Sequence, residues 1–408
     1  MSVTSDPAAA PLPQPEAVIT RPLILLFGTS VGIIVTNLFA PQTLVGQIGP
    51  SLGLSPSAAG LAAMATLLGY AAGLFLLVPL ADLAENRRLI LRMLGAASVC
   101  AGLAALAPSA ATLLPVLVLL GAACSAIQIL VPIAAAMAPP EQRGRVIGDV
   151  MGGLMVGILL SRPLASAIAG GTGWRGFYLA SAVAMAMLTA VLALRLPPRQ
   201  PTARASYPAL IASLWRLLRE EPVLRARALT ASLVMAAFSL FWTAVALRLA
   251  QPPFGLSQGG IALFALVGAG GAVVTPLIGR AGDRGWTGPA TLASHIAVIA
   301  AFALAAWAGR ADAAEPLLPL LAMGLAAVVL DIGVTGDQTL GRRAVNLLRP
   351  EARGRLNGLF VGLFFLGGAA GSAAAGAAWA AGGWPLICLI GAGIGLAALM
   401  AGRLGRAR

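Results

Sequence analysis

Two charged residues, Arg162 and Asp331, lie inside long apolar stretches of this 408-residue chain. Arg162 follows the run LMVGILLS, and Asp331 lies between AVVL and IGV. A charge inside a bilayer is costly unless it is paired or faces a wet cavity, so such residues usually serve ion or proton transfer. A carboxylate that loses a cationic neighbour in an apolar site binds a proton more readily. We therefore predict a proton-coupling role for Arg162 and Asp331; a static pair that braces two helices is the alternative.

Residue types that serve enzymatic chemistry are scarce in the sequence. His295 is the single histidine, and Cys100, Cys124 and Cys388 lie in apolar stretches without the spacing of a disulfide or metal site. No arrangement of a nucleophile with a base is recognisable. The sequence thus predicts no enzyme, no cofactor and no metal site. We expect His295 to be a peripheral helix residue, and Asp337 to reach the cytoplasmic interface without a functional role.

The composition indicates a membrane protein. Hydrophobic residues make up 59% of the chain and charged residues 10%, whereas soluble proteins contain about 25% charged residues. A window of about 20 apolar residues, the length of a membrane-spanning helix, finds twelve candidates. We number them spans 1 to 12: 22–41, 58–80, 89–107, 112–138, 146–170, 176–195, 227–250, 258–280, 288–308, 316–340, 355–380 and 384–402.

The arginines are distributed unevenly between the loops. The chain contains no lysine, and all 27 basic residues are arginine. With the N-terminus in the cytoplasm, 23 arginines fall in cytoplasmic segments, and only Arg175, Arg248 and Arg310 lie in outside loops. This is the positive-inside pattern of a multi-pass membrane protein with both termini in the cytoplasm. Because topology explains the net charge of +13, we expect no nucleic-acid partner.

One segment of the chain occurs twice, at an offset of 210 residues. Residues 140–157 read PEQRGRVIGDVMGGLMVG and residues 350–367 read PEARGRLNGLFVGLFFLG, with eight of 18 positions identical. The register continues to Trp174 and Trp384. Parallel halves in an apolar chain are typical of duplicated transporters. We expect the halves to superpose, with Gly148 over Gly358.

The repeat defines the predicted domains. Two six-helix bundles, 22–195 and 227–402, are joined by a cytoplasmic linker at 196–226. A disordered N-terminal tail covers 1–21, and a short cytoplasmic tail covers 403–408. Within the linker, leucines at helical spacing beside arginines predict either a helix on the inner leaflet or an ordinary linker helix. Glycines cluster in spans 2, 5, 8 and 11, and we expect these small-residue faces to form the interface between the bundles.

The junction between spans 2 and 3, VPLADLAENRR, resembles the signature loop of the major facilitator superfamily. That loop has an acid followed by a short turn and a basic pair; Asp82, Arg87 and Arg88 take these places. GRAGDRG repeats the acid and one basic residue with Asp283 and Arg284. Further segments, including LGLSPSAAGLAAMATLLGYAAGL, FSLFWTAVALRL and LDIGVTGDQ, resemble the bacterial drug:proton antiporter-like branch. The resemblance implies an all-α membrane protein of twelve helices in two pseudo-symmetric bundles.

The resemblance also implies a gate on the cytoplasmic side. In related transporters, the acid of the signature loop accepts hydrogen bonds from free amides at the N-terminus of span 11. Asp82, Arg87 and Arg88 are thus expected to help hold this side shut in the outward-open state. The repeat assigns the same role, toward span 5, to Asp283 and Arg284. For Arg87 and Arg88, membrane anchoring alone is the alternative.

Polar and aromatic residues of spans 1, 4 and 7 are expected to bind the substrate, because these spans line the central cavity in this superfamily. They are Asn37, Gln42, Gln128, Phe238, Phe241 and Trp242. Span 10 lies near span 5 in related transporters, so Arg162 and Asp331 are expected to meet. Span 4 lacks the arginine that serves the coupling acid in many proton-coupled drug antiporters, and Arg162 is a residue that could take over that role.

The function that follows is secondary active transport of a small organic molecule by alternating access, outward in exchange for protons. A proton-coupled importer or a uniporter of the same fold is the alternative, and a non-transporting receptor is a third possibility. The proton gradient would supply the driving force without a cofactor. We expect the chain to act as a monomer whose partners are its substrate, protons and membrane lipids.

Overall fold

The computed structural model describes residues 19–201, 206–310, 315–349 and 352–404, and these segments are helical, with no strand among them. Most of both predicted tails, and the repeated Pro350 and Glu351, lie outside the described residues. The helices are α1 Arg21–Ser51, α2 Leu61–Leu76, α3 Asn86–Leu106, α4 Ala110–Cys124, α5 Ile127–Ala136, α6 Arg143–Arg195, α7 Tyr207–Glu220, α8 Pro222–Leu249, α9 Gln258–Ala265, α10 Ala269–Asp283, α11 Thr287–Ala308, α12 Leu317–Asn346 and α13 Arg353–Leu404.

Within the described segments, nine helical stretches are long and apolar enough to cross a membrane. The two longest, Pro140–Arg195 and Arg353–Arg403, contain 56 and 51 residues. A bilayer core of roughly 30 Å needs about 20 helical residues, so each stretch is long enough for two spans. Each consists of two helices that meet at one non-helical residue, between predicted spans 5 and 6 and between predicted spans 11 and 12.

A single glycine breaks each long helix at the repeated position. Gly173 has φ 73° and ψ 172°, and Gly383 has φ 59° and ψ −152°. Non-glycine residues rarely adopt this region of backbone conformation. The adjoining tryptophans fix the break: the Trp174 indole donates to the Ser51 hydroxyl (2.8 Å), and the Trp384 indole donates to the Ala305 carbonyl (2.8 Å). Similar local structure therefore follows from the repeated Gly-Trp.

The repeated arginines make matching contacts as well. The Arg143 Nε donates to the Ala138 carbonyl (3.2 Å), and the Arg353 Nε donates to the Asn346 carbonyl (3.2 Å). In both cases the side chain reaches back to the end of the preceding helical segment, where carbonyl groups lack intrahelical partners. The 210-residue repeat thus encodes a local capping geometry twice.

Small residues bring helices together within each half of the molecule. In the first half, α1 to α6, the backbones of Gly153 and Gly157 lie against those of Gly28 and Gly32. In the second half, α8 to α13, Gly367 lies against the Ser232 backbone. At these positions the glycines do not form the interface between the bundles, whereas Gly362 of span 11 does face the first half, at Phe75 of α2. Gly153, Gly157 and Gly367 permit close packing against the first helix of their own half, where a side chain would separate the backbones.

The linker contains a real helix, α7, with its apolar face against protein. Leu210, Leu214 and Leu217 are buried, while Trp215 is exposed. The Tyr207 hydroxyl donates to the Leu76 carbonyl (2.9 Å) and ties the start of α7 to the end of α2. The leucine face of α7 thus packs on the bundle, and both interpretations of this segment stay predictions.

The glycine breaks generate a stability prediction. We expect Gly173→Ala and Gly383→Ala each to lower the free energy of unfolding by about 1–3 kcal/mol, because alanine is strained at these dihedral angles. Gly171→Ala and Gly393→Ala are matched controls in the same helices, with open space around them. The controls should be neutral or stabilising by up to about 1 kcal/mol. Denaturant titration of the purified variants measures the difference, and equal effects at all four positions would contradict the account.

Candidate functional site

A cavity of about 430 Å³ lies between the two halves. Its walls come from α1, α6, α8, α12 and α13. Along α12 it extends from Asp331 to Asn346, which is about 22 Å of helix. Asn346 lies at the arginine-rich end of the bundle, the end that carries Arg87, Arg143 and Arg342. The cavity therefore runs from the interior of the molecule toward the end that the sequence assigns to the cytoplasm.

The Arg162 side chain, only 3% exposed, lies at the inner end of this cavity. Its Nε donates to the Gln42 Oε1 of α1 (3.0 Å). Its guanidinium carbon lies over three aromatic rings, at 5.1 Å from Phe39, 4.9 Å from Phe238 and 4.3 Å from Trp242. Such distances allow cation–π attraction. Because two of these rings belong to α8, Arg162 of the first half is held partly by the second half.

Asp331 is 8% exposed and approaches the same aromatic cluster from α12. Its Oδ1 accepts a hydrogen bond from the Trp242 indole (3.1 Å). The indole thus lies against the guanidinium with its face and binds the carboxylate with its edge. Both Arg162 and Asp331 line the cavity, but no nitrogen–oxygen contact within 4.0 Å joins them among the ion pairs of the described residues. The predicted meeting occurs through Trp242.

The other predicted substrate-binding residues occupy different surroundings. Gln42 spans the interface, since its Nε2 lies 3.5 Å from the Ser239 hydroxyl of α8. Asn37 accepts from the Ser181 hydroxyl (2.6 Å) and is buried inside the first half. Phe241 is buried among aromatic rings of the second half, edge-on to Trp242. Phe238, described above, lines the cavity directly.

A second cavity of about 550 Å³ opens beside the first at the arginine-rich end. Asp82 and the N-terminal residues of α13, 354–358, both line it. Gln128 also lines it, and its amide donates to the Tyr70 hydroxyl (3.2 Å). The predicted gate partners therefore face one cavity, without a hydrogen bond from α13 to Asp82 in this conformation.

The basic pair of the signature loop has local contacts. The Arg87 Nη2 donates to the Ala193 carbonyl near the end of α6. Arg88 is exposed and pairs with Glu85 (3.4 Å), the residue whose carboxylate caps the start of α3. Arg87 therefore joins α3 to α6 inside the first half.

The acid of the second copy of the signature loop, GRAGDRG, also forms its contact within its own half. Asp283 at the end of α10 forms an ion pair with Arg343 of α12. Arg284 is exposed. The sequence offered no signal for Arg343 as the partner, because that choice depends on how α10 packs beside α12. In this conformation Asp283 does not bond to the N-terminus of α6.

At the opposite end of the bundle the halves are pressed together. A methyl group on Gly60 would overlap the Ser372 carbonyl oxygen, and one on Gly376 would crowd the Ser57 carbonyl oxygen. Gly60 precedes α2, and Gly376 lies in α13, so the contact joins the first half to the second. The two cavities and this contact describe a bundle that is closed at one end and spread at the arginine-rich end.

A further polar cluster lies inside the second half. His295 and Asp337 are buried, and the His295 Nε2 lies 2.8 Å from the Asp337 Oδ1. The Thr230 hydroxyl lies 3.4 Å from the other Asp337 oxygen. The expectations of a peripheral His295 and an interfacial Asp337 are wrong. Because His295 and Asp337 are 42 residues apart and lie on different helices, no pattern along the sequence indicates that they pair. Their contact joins α11 to α12.

Comparisons with known proteins agree with this architecture. The profile of the Major Facilitator Superfamily matches residues 23–336. The transporter YgaY of Escherichia coli (strain K12) is 36% identical over 387 residues, which cover 95% of this chain and 96% of YgaY.

Solved structures show the same fold at low identity. The crystal structure of the nucleoside transporter NupG matches with a TM-score of 0.71 at 16% identity and covers 94% of this chain and 99% of its own. A bacterial homolog of the human lysosomal transporter Spinster, in an inward-facing and occupied conformation, matches with a TM-score of 0.65 at 18% identity and covers 94% and 92%.

The close contact at Gly60 generates a conformational prediction. We expect Gly60→Ala to disfavour the closed contact with Ser372 and to lengthen the mean distance between spin labels at Ser55→Cys and Ala381→Cys, measured by double electron–electron resonance. Gly148→Ala is the matched control, because that position has open space around it. An unchanged distance distribution in Gly60→Ala would show that the contact does not limit opening at this end.

Proposed function

This chain belongs to the major facilitator superfamily, and we propose that it exports a small organic solute across the bacterial inner membrane in exchange for protons. The family and the relatives identify a multi-pass membrane protein that acts as a secondary transporter and not as an enzyme. The outward direction is proposed from the resemblance of its segments to the drug:proton antiporter-like branch.

The observation that carries the proposal is the arrangement of Arg162 and Asp331. The two opposite charges are buried in a cavity between the halves, and the Trp242 indole contacts both. Charges at this depth are costly to maintain and are typical of ion and substrate paths. An acid that faces a cavity reachable from one end can exchange a proton with that side.

Coupling follows from the position of Arg162 at the interface. When the halves move, the guanidinium of the first half changes its distance from the second-half rings and from Asp331. A carboxylate in an apolar cavity binds a proton more readily as a cation moves away from it. We propose that Asp331 carries the proton and that substrate and proton occupy it in turn, so that each return of the empty carrier requires protonation.

We propose twelve membrane crossings with both termini in the cytoplasm. The nine long helical stretches give this number if each broken helix, at Gly173 and Gly383, crosses twice and if α9 with α10 crosses once. The arginine-rich end would then face the cytoplasm, in keeping with the positive-inside rule. The present conformation would be inward-facing.

The gate would work at that same end. In the outward-facing state, closure of the second cavity would bring Asp82 to the N-terminus of α13, where free amide groups favour a carboxylate. Asp283 would leave its ion pair with Arg343 and would bind the free amide groups at the start of α6 instead. We propose these contacts as the features that hold the cytoplasmic side shut.

Asp331→Asn tests the coupling role. We expect this variant to lose uptake driven by an imposed pH gradient in proteoliposomes, because an amide cannot carry the proton, while it still binds substrate or exchanges it across the membrane. Thr335→Val is the matched control: Thr335 lines the same cavity on the same helix but does not titrate. Full proton-driven transport by Asp331→Asn would exclude Asp331 as the proton carrier.

Asp82→Asn tests the gate. The amide keeps the shape of the side chain but removes the charge that would bind the start of α13, so we expect transport to fall by about tenfold, or about 1.4 kcal/mol. Asp149→Asn, a change at an exposed acid near the start of α6, should transport normally. Expression and detergent stability should match the parent protein. Equal transport by both variants would remove the gating role of Asp82.

A further inference from the structure

The guanidinium of Arg162 has unused hydrogen-bonding capacity. Its Nε donates to Gln42, but neither terminal nitrogen donates a hydrogen bond to another described residue. The Nη2 is buried without a partner. A guanidinium is a planar fork whose geometry matches a carboxylate. Leaving such donors unsatisfied in an apolar site is costly, so an acceptor from outside the chain would stabilise this arrangement.

Asp331 has unused capacity of the opposite kind. One of its oxygens accepts from Trp242, and its contacts among the described residues include no other hydrogen bond. An ionised carboxylate can accept about four hydrogen bonds. A donor from outside the chain, either a proton or a cationic group of a ligand, would therefore complete this side of the site.

No neighbouring charged side chain among the described residues supplies the missing hydrogen-bond partners of Arg162 or Asp331. Two more arginines line the cavity, but the Arg342 Nε donates to the Asn357 side chain (2.6 Å) and Arg343 pairs with Asp283. The Trp242 indole contacts both groups, and no nitrogen–oxygen contact within 4.0 Å joins Arg162 to Asp331. The inner end of the cavity therefore offers one fork of donors and one set of acceptors. Phe238 and Phe365 supply apolar surface beside them.

We propose that the transported solute is a zwitterion with an apolar body, of the chemistry that an aliphatic or aromatic α-amino acid provides. Its carboxylate binds the terminal nitrogens of Arg162, its ammonium binds Asp331, and its apolar part packs against the phenylalanine rings. This inference rests on the proposed function, in that it takes the cavity as the transport site. The volume of about 430 Å³ suits a small ligand.

Charge balance favours a zwitterion over a simple ion. An organic anion would satisfy Arg162 but leave Asp331 beside a second negative charge, and an organic cation would do the reverse. A zwitterion pairs both buried charges and adds no net charge to the cavity. Because its ammonium and a proton compete for the same carboxylate, substrate binding to protonated Asp331 transfers one proton from that carboxylate to solvent.

The test is a binding matrix on the purified full-length protein in lipid nanodiscs, measured by isothermal titration calorimetry. The probes are L-phenylalanine and L-leucine, each with its carboxamide, which lacks the carboxylate, and its N-acetyl derivative, which lacks the ammonium. We expect at least one amino acid to bind about tenfold or more tightly than both of its derivatives, because a site built around two polar groups rejects ligands that lack one.

Two variants test which side chain binds which charged group of the ligand. Arg162→Gln should bind the amino acid and its carboxamide with equal affinity. Asp331→Asn should bind the amino acid and its N-acetyl derivative with equal affinity. Arg162→Lys keeps the charge without the fork and should discriminate only partly, which shows that the pocket is intact. Asp149→Asn, at an exposed acid outside this cavity, should retain the full pattern.

Failure to bind either amino acid, or equal binding of an amino acid and its two derivatives, would overturn the zwitterion assignment. Preference for the N-acetyl derivative would indicate an anion carrier, and preference for the carboxamide would indicate a cation carrier; both overturn it as well. Binding needs no proton gradient. If the matrix fails while Asp331-dependent proton transport of another solute persists, the proposed function stands and only the substrate class is wrong.

Discussion

The contact between the Arg162 guanidinium and the aromatic rings of α8 is the interaction on which the account of this molecule depends. A buried cation needs compensation, and here it comes from Gln42 and Phe39 in the first half and from Phe238 and Trp242 in the second. The halves therefore cannot move apart at this level without changing the environment of the charge. Because the Trp242 indole also binds Asp331, that change extends to the residue that we propose as the proton carrier.

Close packing and helix capping join the elements within each half. Close glycine contacts fix α6 against α1 and α13 against α8, and the arginines of the repeated segment cap helix ends within each half. Contacts between the halves are different in kind. At one end they depend on Gly60 and Gly376 with little side-chain area, and at the other end cavities separate the elements. Between the two ends, aromatic rings of both halves meet, as in the contact of Tyr70 with Phe365.

Much of the helical architecture could be predicted from the sequence, because the apolar stretches and the repeated Gly-Trp can be recognised along the chain. Helix ends are less predictable: the sequence predicts that span 1 ends at residue 41, yet α1 continues to Ser51, since proline is tolerated inside membrane helices. Pairings were least predictable. The ion pair of Asp283 with Arg343 and the contact of His295 with Asp337 depend on packing between helices, which no pattern along one helix encodes.

The central claim is that protonation of Asp331 controls the conformation of the carrier. The direct measurement is double electron–electron resonance between spin labels at Gly144→Cys and Leu347→Cys, which lie at the arginine-rich end of opposite halves. In the parent protein, lowering the pH from about 8 to about 5.5 should shift the populations of the long and short distances. In Asp331→Asn the distribution should be independent of pH over this range. The same pH-dependent shift in both proteins would contradict the account.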